Sequence, residues 1–333
     1  MAEPVRSSLK VVRQQIAAAG APPGPAPHPD MVWIPGGTYR MGSDKFYPEE
    51  GPIHEVSVDG FWIDRYPVTN ERFRRFVEAT GHVTAAEVAP TREEYPNALP
   101  EMLYAGSLVF VKPPHPVDLG NFYNWWTFMQ GADWRHPTGV KSSIGGRKRH
   151  PVIHVTFGDA LALARWEGKA LPTEAEWELA ARGGLEQADY AWGDELAPQG
   201  RHMANTWQGE FPWQNLLADK YETTSPVDAF PANGYGVVDM IGNVWEWTTD
   251  WYEPTHATEA LTSCCAPHNP RGGDEAKSYD PAQPLPIPRK VVKGGSHLCA
   301  PNYCRRYRPA ARYPQPVDTS TSHIGFRCVV RVQ

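Results

Sequence analysis

Cys299 and Cys304 stand near the C-terminus, in the run Gly294-Gly295-Ser296-His297-Leu298-Cys299-Ala300-Pro301-Asn302-Tyr303-Cys304. Two soft thiolates with four residues between them can clamp one soft ion such as Cu(I), or close into a disulfide. Arg305, Arg306 and Arg308 follow at once. Positive charge close to a thiol lowers its pKa and favours the thiolate, the form that binds metal and reacts. A small structural disulfide and two reduced core cysteines are the competing readings, and on spacing alone they outweigh a reactive site. The arginines, with Arg312, read equally as solvated or carboxylate-paired surface groups.

The 333 residues include 29 Gly and 34 Pro, with 41% hydrophobic residues and 13 Trp. That composition argues for a loop-rich body of short strands and few helices, tied together by large aromatics around a sizeable core. The formal charge of −6 argues against a general nucleic-acid binder. No stretch approaches the roughly 20 apolar residues that span a bilayer, so no membrane partner is expected. Residues 1–29 read as a flexible tail, almost all Ala, Gly and Pro from Ala17 to Pro29, with a short helix over Lys10 to Ala19 and no apolar run fit for a secretory leader. Residues 30–333 are expected to form a single domain. Five cysteines leave at least one without an intramolecular partner, and a reduced cytoplasm is the simplest setting.

Met31 to Gly42 reads as strand-like, with Gly36-Gly37 as a hairpin turn, and Val56, Val58 and then Phe61-Trp62-Ile63 suggest further strands. A helix is expected from Asn70, as its cap, to Ala79, stopped by Gly81. Glu87 to Arg149 shows little periodicity. A long irregular segment of this kind is usually functional or disordered, and Tyr123, Trp125, Trp126, Phe128 and Trp134 favour an ordered surface. Two further helices carry clear start signals: Thr156 with Asp159, and Thr173 with Glu176, the second ending at Arg182 before Gly183-Gly184.

Several segments together resemble the formylglycine-generating enzyme family, also called sulfatase-modifying factors. They are Gly36-Gly37-Thr38-Tyr39-Arg40-Met41-Gly42, Tyr66-Pro67-Val68-Thr69-Asn70, Leu171-Pro172-Thr173-Glu174-Ala175-Glu176-Trp177, Gly242-Asn243-Val244-Trp245-Glu246-Trp247 and Gly325-Phe326-Arg327-Cys328. These mark the wider superfamily. Trp134-Arg135-His136-Pro137, Asn205-Thr206-Trp207-Gln208-Gly209-Glu210-Phe211-Pro212 and the cysteine pair are similar to the true formylglycine-generating enzymes.

The resemblance implies an α+β fold with little regular secondary structure, the formylglycine-generating-enzyme fold of the C-type-lectin-like superfamily. It implies an oxidoreductase acting on a sulfur group with O2 as acceptor. Its substrate would be an unfolded sulfatase segment bearing Cys-X-Pro-X-Arg, whose cysteine becomes Cα-formylglycine. Cys299 and Cys304 would hold Cu(I), with Ser296, Tyr303 and Trp245 beside them. Two structural Ca2+ sites are implied: Asn205, Thr206, Asp219 and Tyr221 for the first, and Asp239, Gly242, Val244 and Glu246 for the second. Side-chain and backbone oxygens together suit that ion. Trp134, Arg135 and His323 are placed at the peptide groove, His323 standing where other members carry asparagine. Cys328 lacks a partner, because Ala164, Ala181 and Pro309 occupy the positions of secreted relatives' cysteines. Cys264-Cys265 carries no assigned role. A monomeric, prokaryote-like member is expected.

Three other readings compete. An iron-dependent sulfoxide synthase of the same superfamily would need a His-rich site, and the 12 histidines show no ligand-spaced cluster. A non-catalytic relative would typically lack the cysteine pair. A zinc protein would need a second Cys/His pair at suitable spacing.

Overall fold

A computed structural model describes residues 20–256 and 266–332. Cys264, Cys265 and the expected Lys10–Ala19 helix lie outside the described residues. Within them the fold is α+β and loop-rich, with short strands and few helices.

The N-terminal strands do not form the expected hairpin. β1 (Met31–Ile34) pairs antiparallel with β4 (Phe61–Asp64), which also carries β11 (Val329–Arg331). β2 (Gly37–Met41) pairs instead with β3 (His54–Val58). Gly36 therefore steps the chain from one sheet to the next. A Cβ there would lie 2.5 Å from Gly60 N and Val58 O, so only glycine lets the backbones approach so closely.

Helix α1 (Asn70–Thr80) is capped one residue earlier than expected. The Thr69 hydroxyl accepts from Arg72 N–H, and Gly81 closes the helix in the left-handed region at φ 70. Asn70, the expected cap, is the first helical residue. Its Phe73, Phe76 and Val77 face the core. Helices α2 (Phe157–Trp166) and α3 (Glu174–Arg182) both begin in the anticipated capping boxes, Thr156 with Asp159 and Thr173 with Glu176.

All of α3 is buried, its charged residues included. Each buried acid has a cation. Lys293 Nζ lies 3.0 Å from Glu178 and 3.3 Å from Glu174, and Arg312 makes two 2.9 Å bonds to Glu174. Such pairs add little when intact but penalise loss of either partner strongly.

The irregular segment hides one regular element. β5 (Gly106–Phe110) and β6 (Trp126–Gln130) form an antiparallel hairpin from Gly106↔Gln130 to Phe110↔Trp126. Fifteen residues, three of them Pro, separate its strands, so no short hairpin-turn signal marked it. Leu108 bonds through its backbone to Ser320 and Ser322, which hangs the hairpin beside the C-terminal loops.

The central sheet has the order β10 (Ile324–Gly325), β7 (Trp245–Trp251), β8 (Arg289–Lys293), β9 (Arg312–Pro316). β10 runs parallel to β7, and β7–β8–β9 are antiparallel neighbours. Trp245 starts β7, Lys293 ends β8, Arg312 starts β9 and Ile324 starts β10. The pairings Glu246↔Lys293, Lys293↔Arg312 and Ile324↔Trp245 bring these four termini to one end of the sheet.

Candidate functional site

The expected catalytic residues gather at that end. β8 runs out into Gly294-Gly295-Ser296 and the loop bearing both cysteines. β7 supplies Trp245, β9 supplies Tyr313, and His323 immediately precedes β10, with its carbonyl accepting from Trp245 N–H at 2.9 Å.

Two glycines turn the chain into the cysteine loop. Gly294 has φ 91, and a Cβ there would meet Met240 O at 2.7 Å and the Trp177 ring at 2.9 Å. Gly294→Ala is expected to lower stability by roughly 1–3 kcal/mol, read from a denaturant midpoint at unchanged slope. The loop is then fixed by backbone bonds: Cys299 N–H to Ser296 O at 3.0 Å, Cys304 N–H to Ala300 O at 2.8 Å, and Trp207 N–H to Cys299 O at 3.0 Å. His297 donates to the Asn243 carbonyl through its backbone N–H at 3.0 Å, and its Nδ1 lies 2.8 Å from that oxygen.

The two sulfurs lie 2.9 Å apart and both thiols are free. This is longer than the roughly 2.05 Å of a disulfide bond. Cys299 is 2% and Cys304 8% exposed. Burial pushes the Cys299 thiol well up, with the neighbouring sulfur adding to the shift. Cys304 is pulled down to about 7 by the hydrogen bond from Cys299 and by Arg306. Of the two sulfurs, Cys304 is therefore the one favoured as thiolate.

Within the expected arginine cluster Arg306 acts on Cys304, and it also pairs with Glu49 at 2.6 Å. Arg308 is buried against Glu50, Arg312 against Glu174, and Arg305 lies over the Phe46 ring. The carboxylate-paired reading holds for three of the four.

Both sulfurs open onto a cavity of about 400 Å³ lined by Ser296, Trp245, Tyr303, His323 and a set of further aromatics. Ser296 Oγ accepts from Leu298 N–H at 3.2 Å, which leaves its hydroxyl proton to donate elsewhere. The Tyr303 ring stacks on Phe211 at 4.5 Å and 9°. It is 41% exposed, so it serves the cavity and not the core. Burial, then Tyr313 and the sulfurs, push its phenol up to about 12, and it remains a donor. His323 Nδ1 lies 2.5 Å from Thr321 Oγ1, and its ring leans on Trp126. Burial drives its pKa down to about 3, with His297 and His154 adding to the effect, so the ring is neutral.

Trp134 and Arg135 are not at this cavity. Trp134 is 1% exposed and packs edge-on against Phe73 in the main core. Arg135 pairs with Glu87 and lies over the Trp134 ring. The cavity is walled instead by Phe122, Trp125, Trp126, Phe211 and Tyr313. Trp125, Trp207, Phe211, Leu298 and Ala300 form a second small core beneath it. Phe211 was visible in the Gln-Gly-Glu-Phe-Pro run, and Trp125-Trp126 as an adjacent aromatic pair. Nothing local distinguished them from Trp134.

The expected calcium residues form two adjoining loops. Asn205 Oδ1 and Asp239 Oδ1 are buried with no hydrogen-bond partner. Unsatisfied buried oxygens cost free energy unless something takes their lone pairs, and a hard cation does so. Burial pushes Asp239 up to about 7, and a bound cation would pull it back. Glu246 accepts from Arg327 at 2.7 Å on each oxygen and from Trp177 Nε1 at 2.7 Å. A carboxylate offers about four lone-pair sites, so Glu246 can serve a cation as well. Asp219 Oδ1 accepts from Tyr221 N–H at 3.0 Å. The donor sets fit Ca2+ through carbonyls and amides. Among the described residues no three His, Cys, Asp or Glu side chains are grouped as a metal site.

Residues 18–332 match the family described as "Sulfatase-modifying factor enzyme 1-like domain". The chain belongs to this sulfatase-modifying factor family. It is 53% identical over 301 residues to the formylglycine-generating enzyme of Mycobacterium tuberculosis, covering 90% of this chain and 97% of that one. It is also 40% identical over 306 residues to the inactive C-alpha-formylglycine-generating enzyme 2 of Bos taurus, covering 90% and 87%. The solved structure of PvdO from Pseudomonas aeruginosa shares the fold, with a TM-score of 0.57 at 24% identity over 91% of this chain and 94% of that one. Active and inactive relatives in the sulfatase-modifying factor family are thus both similar to this chain, and the site must decide between them.

Proposed function

We propose that the chain is a formylglycine-generating enzyme. It converts the cysteine of a Cys-X-Pro-X-Arg segment in an unfolded sulfatase to Cα-formylglycine with O2, and so activates the sulfatase. The observation that carries this reading is the free Cys299–Cys304 pair, 2.9 Å apart at the floor of an open aromatic cavity. A non-catalytic member has no need of a free cysteine pair facing a ligand-sized space.

Cys299 and Cys304 would hold Cu(I), which suits two soft sulfurs and low coordination number. The metal supplies the redox chemistry with O2, and the protein supplies placement and exclusion of side reactions. Its own residues do the rest. Arg306 favours charge on Cys304. Ser296 and Tyr303 offer hydroxyl donors beside the sulfurs. Trp245, Trp126 and neutral His323 wall the space without adding charge. The aromatic floor gives a proline of the substrate an apolar surface, and an extended peptide can lie along the open side. Ca2+ at the two loops would hold the cysteine loop itself, because Trp207 and Asn243 anchor it from residues adjoining the expected ligands. We place the enzyme in a reduced cytoplasm, a setting with which the buried free thiol of Cys328 agrees.

The test mixes protein, Cu(I) and reductant with a synthetic peptide containing Leu-Cys-Thr-Pro-Ser-Arg and follows its mass. Formation of the formylglycine product supports the reading; an unchanged peptide with a copper-loaded protein refutes it. Phe122, half-exposed at the cavity wall, tests the groove. Phe122→Ala is expected to raise KM about fivefold with little change in kcat, from loss of about 1 kcal/mol of aromatic contact. Unchanged KM would move the peptide elsewhere.

A further inference from the structure

A second cavity, of about 370 Å³, is lined by Met41, His54 and His256, none of which the cysteine site uses. Met41 and His54 are direct cross-strand partners in β2 and β3, so their side chains rise on one face about 5 Å apart at Cβ. His256 follows β7 and is tied by its backbone N–H to Gly51 O. The two imidazole rings lie 4.6 Å apart between centroids, tilted by 50°.

Both rings are set up as ligands. His54 Nδ1 lies 2.8 Å from the Pro52 carbonyl, so that nitrogen donates and Nε2 keeps its lone pair. A carbonyl on the far nitrogen is the usual orienting partner of a metal-bound histidine. His256 is 9% exposed, and its Nε2 is buried without a hydrogen-bond partner. Glu174, Asp250 and Glu253 face Arg271 and Arg312 around the same space, so the lining tolerates a cation. Glu174 and Asp250 are already engaged, by Arg312 and by the Gly272 and Glu174 N–H groups.

We propose that Met41, His54 and His256 form a binding site for a soft, low-coordinate metal ion, Cu(I) by class. A thioether is a poor ligand for zinc or calcium, whereas one thioether and two imidazoles suit Cu(I). The site is separate from Cys299 and Cys304, and the proposal does not depend on the activity assigned to them.

The test removes every cysteine but the buried Cys328. The full-length chain carrying Cys264→Ser, Cys265→Ser, Cys299→Ser and Cys304→Ser is loaded anaerobically with Cu(I) and challenged with bicinchoninate. One retained equivalent is expected. In that background His256→Phe or His54→Gln should retain none. Met41→Leu should bind at least tenfold more weakly and lose the sulfur scatterer in the copper X-ray absorption spectrum. Melting curves identify any variant that fails to fold, and the remaining two variants then decide. No retained copper in the four-serine protein, or retention unchanged by these substitutions, overturns the site. Tighter binding of Zn2+ than of Cu(I) overturns the assignment to a soft ion.

Discussion

Cys299→Ala and Cys304→Ser are each expected to reduce peptide oxidation to the background of the peptide alone, with the double variant no worse than either. Residues that act as one unit show this non-additivity. Both sulfurs are needed to clamp an ion, and the 2.9 Å contact ends when either is removed. The fold does not share that dependence. The loop is held by Trp207, His297 and the backbone bonds at Ala300 and Ser296, none of which passes through sulfur. Stability should therefore fall by only about 1 kcal/mol, the ordinary cost of a small buried change. Circular dichroism, copper content and turnover are measured on the same preparations. A folded single variant with near-normal turnover sinks the two-cysteine site. A double variant that loses several kcal/mol of stability, with wild type equally weakened by reductant, would restore the structural-disulfide reading.

The sequence exposed the local signals and concealed the long-range ones. Capping boxes at Thr156 and Thr173 need only three residues to declare themselves, and both formed as read. Gly36-Gly37 carries the same local signature as a hairpin, yet it is a crossing between sheets. Its reason is Gly60, which packs against it from beyond the turn. The cysteine pair was legible because its members are close in sequence. The cavity around it was not, because its walls come from Phe122, Trp126, Phe211, Tyr313 and His323, brought together only by the converging strand ends. With 13 tryptophans, composition could not say that Trp125 and Trp126 face the groove while Trp134 fills the core on Phe73. His256 carried no signal at all, since its partners Met41 and His54 lie some 200 residues away.

Glu246→Ala should be the most destabilising single change considered. Glu246 and Arg327 are both 0% exposed. The carboxylate takes two 2.7 Å bonds from the guanidinium and a third from Trp177. Removing it leaves a buried cation with only the carbonyls of Asp64, Arg65, Val238 and Asp239 around it. Breaking one side of such a pair costs about 3–5 kcal/mol, a large share of the roughly 5–15 kcal/mol that holds a domain folded. If Glu246 also ligates Ca2+, a second loss follows, because an ion bound only by the native state adds stability by mass action. The two contributions separate in a simple comparison. Melting is measured for wild type and Glu246→Ala, each with Ca2+ and with chelator. Wild type should soften on chelation, and the variant should start lower and respond less. Turnover per folded, copper-loaded molecule should change little, since Glu246 does not line the cavity. A variant within about 1 kcal/mol of wild type would refute the ion-pair argument. A wild-type melting temperature indifferent to chelator, in protein that holds no Ca2+, would remove both calcium loops from the proposal and leave the orphaned oxygens of Asn205 and Asp239 to water.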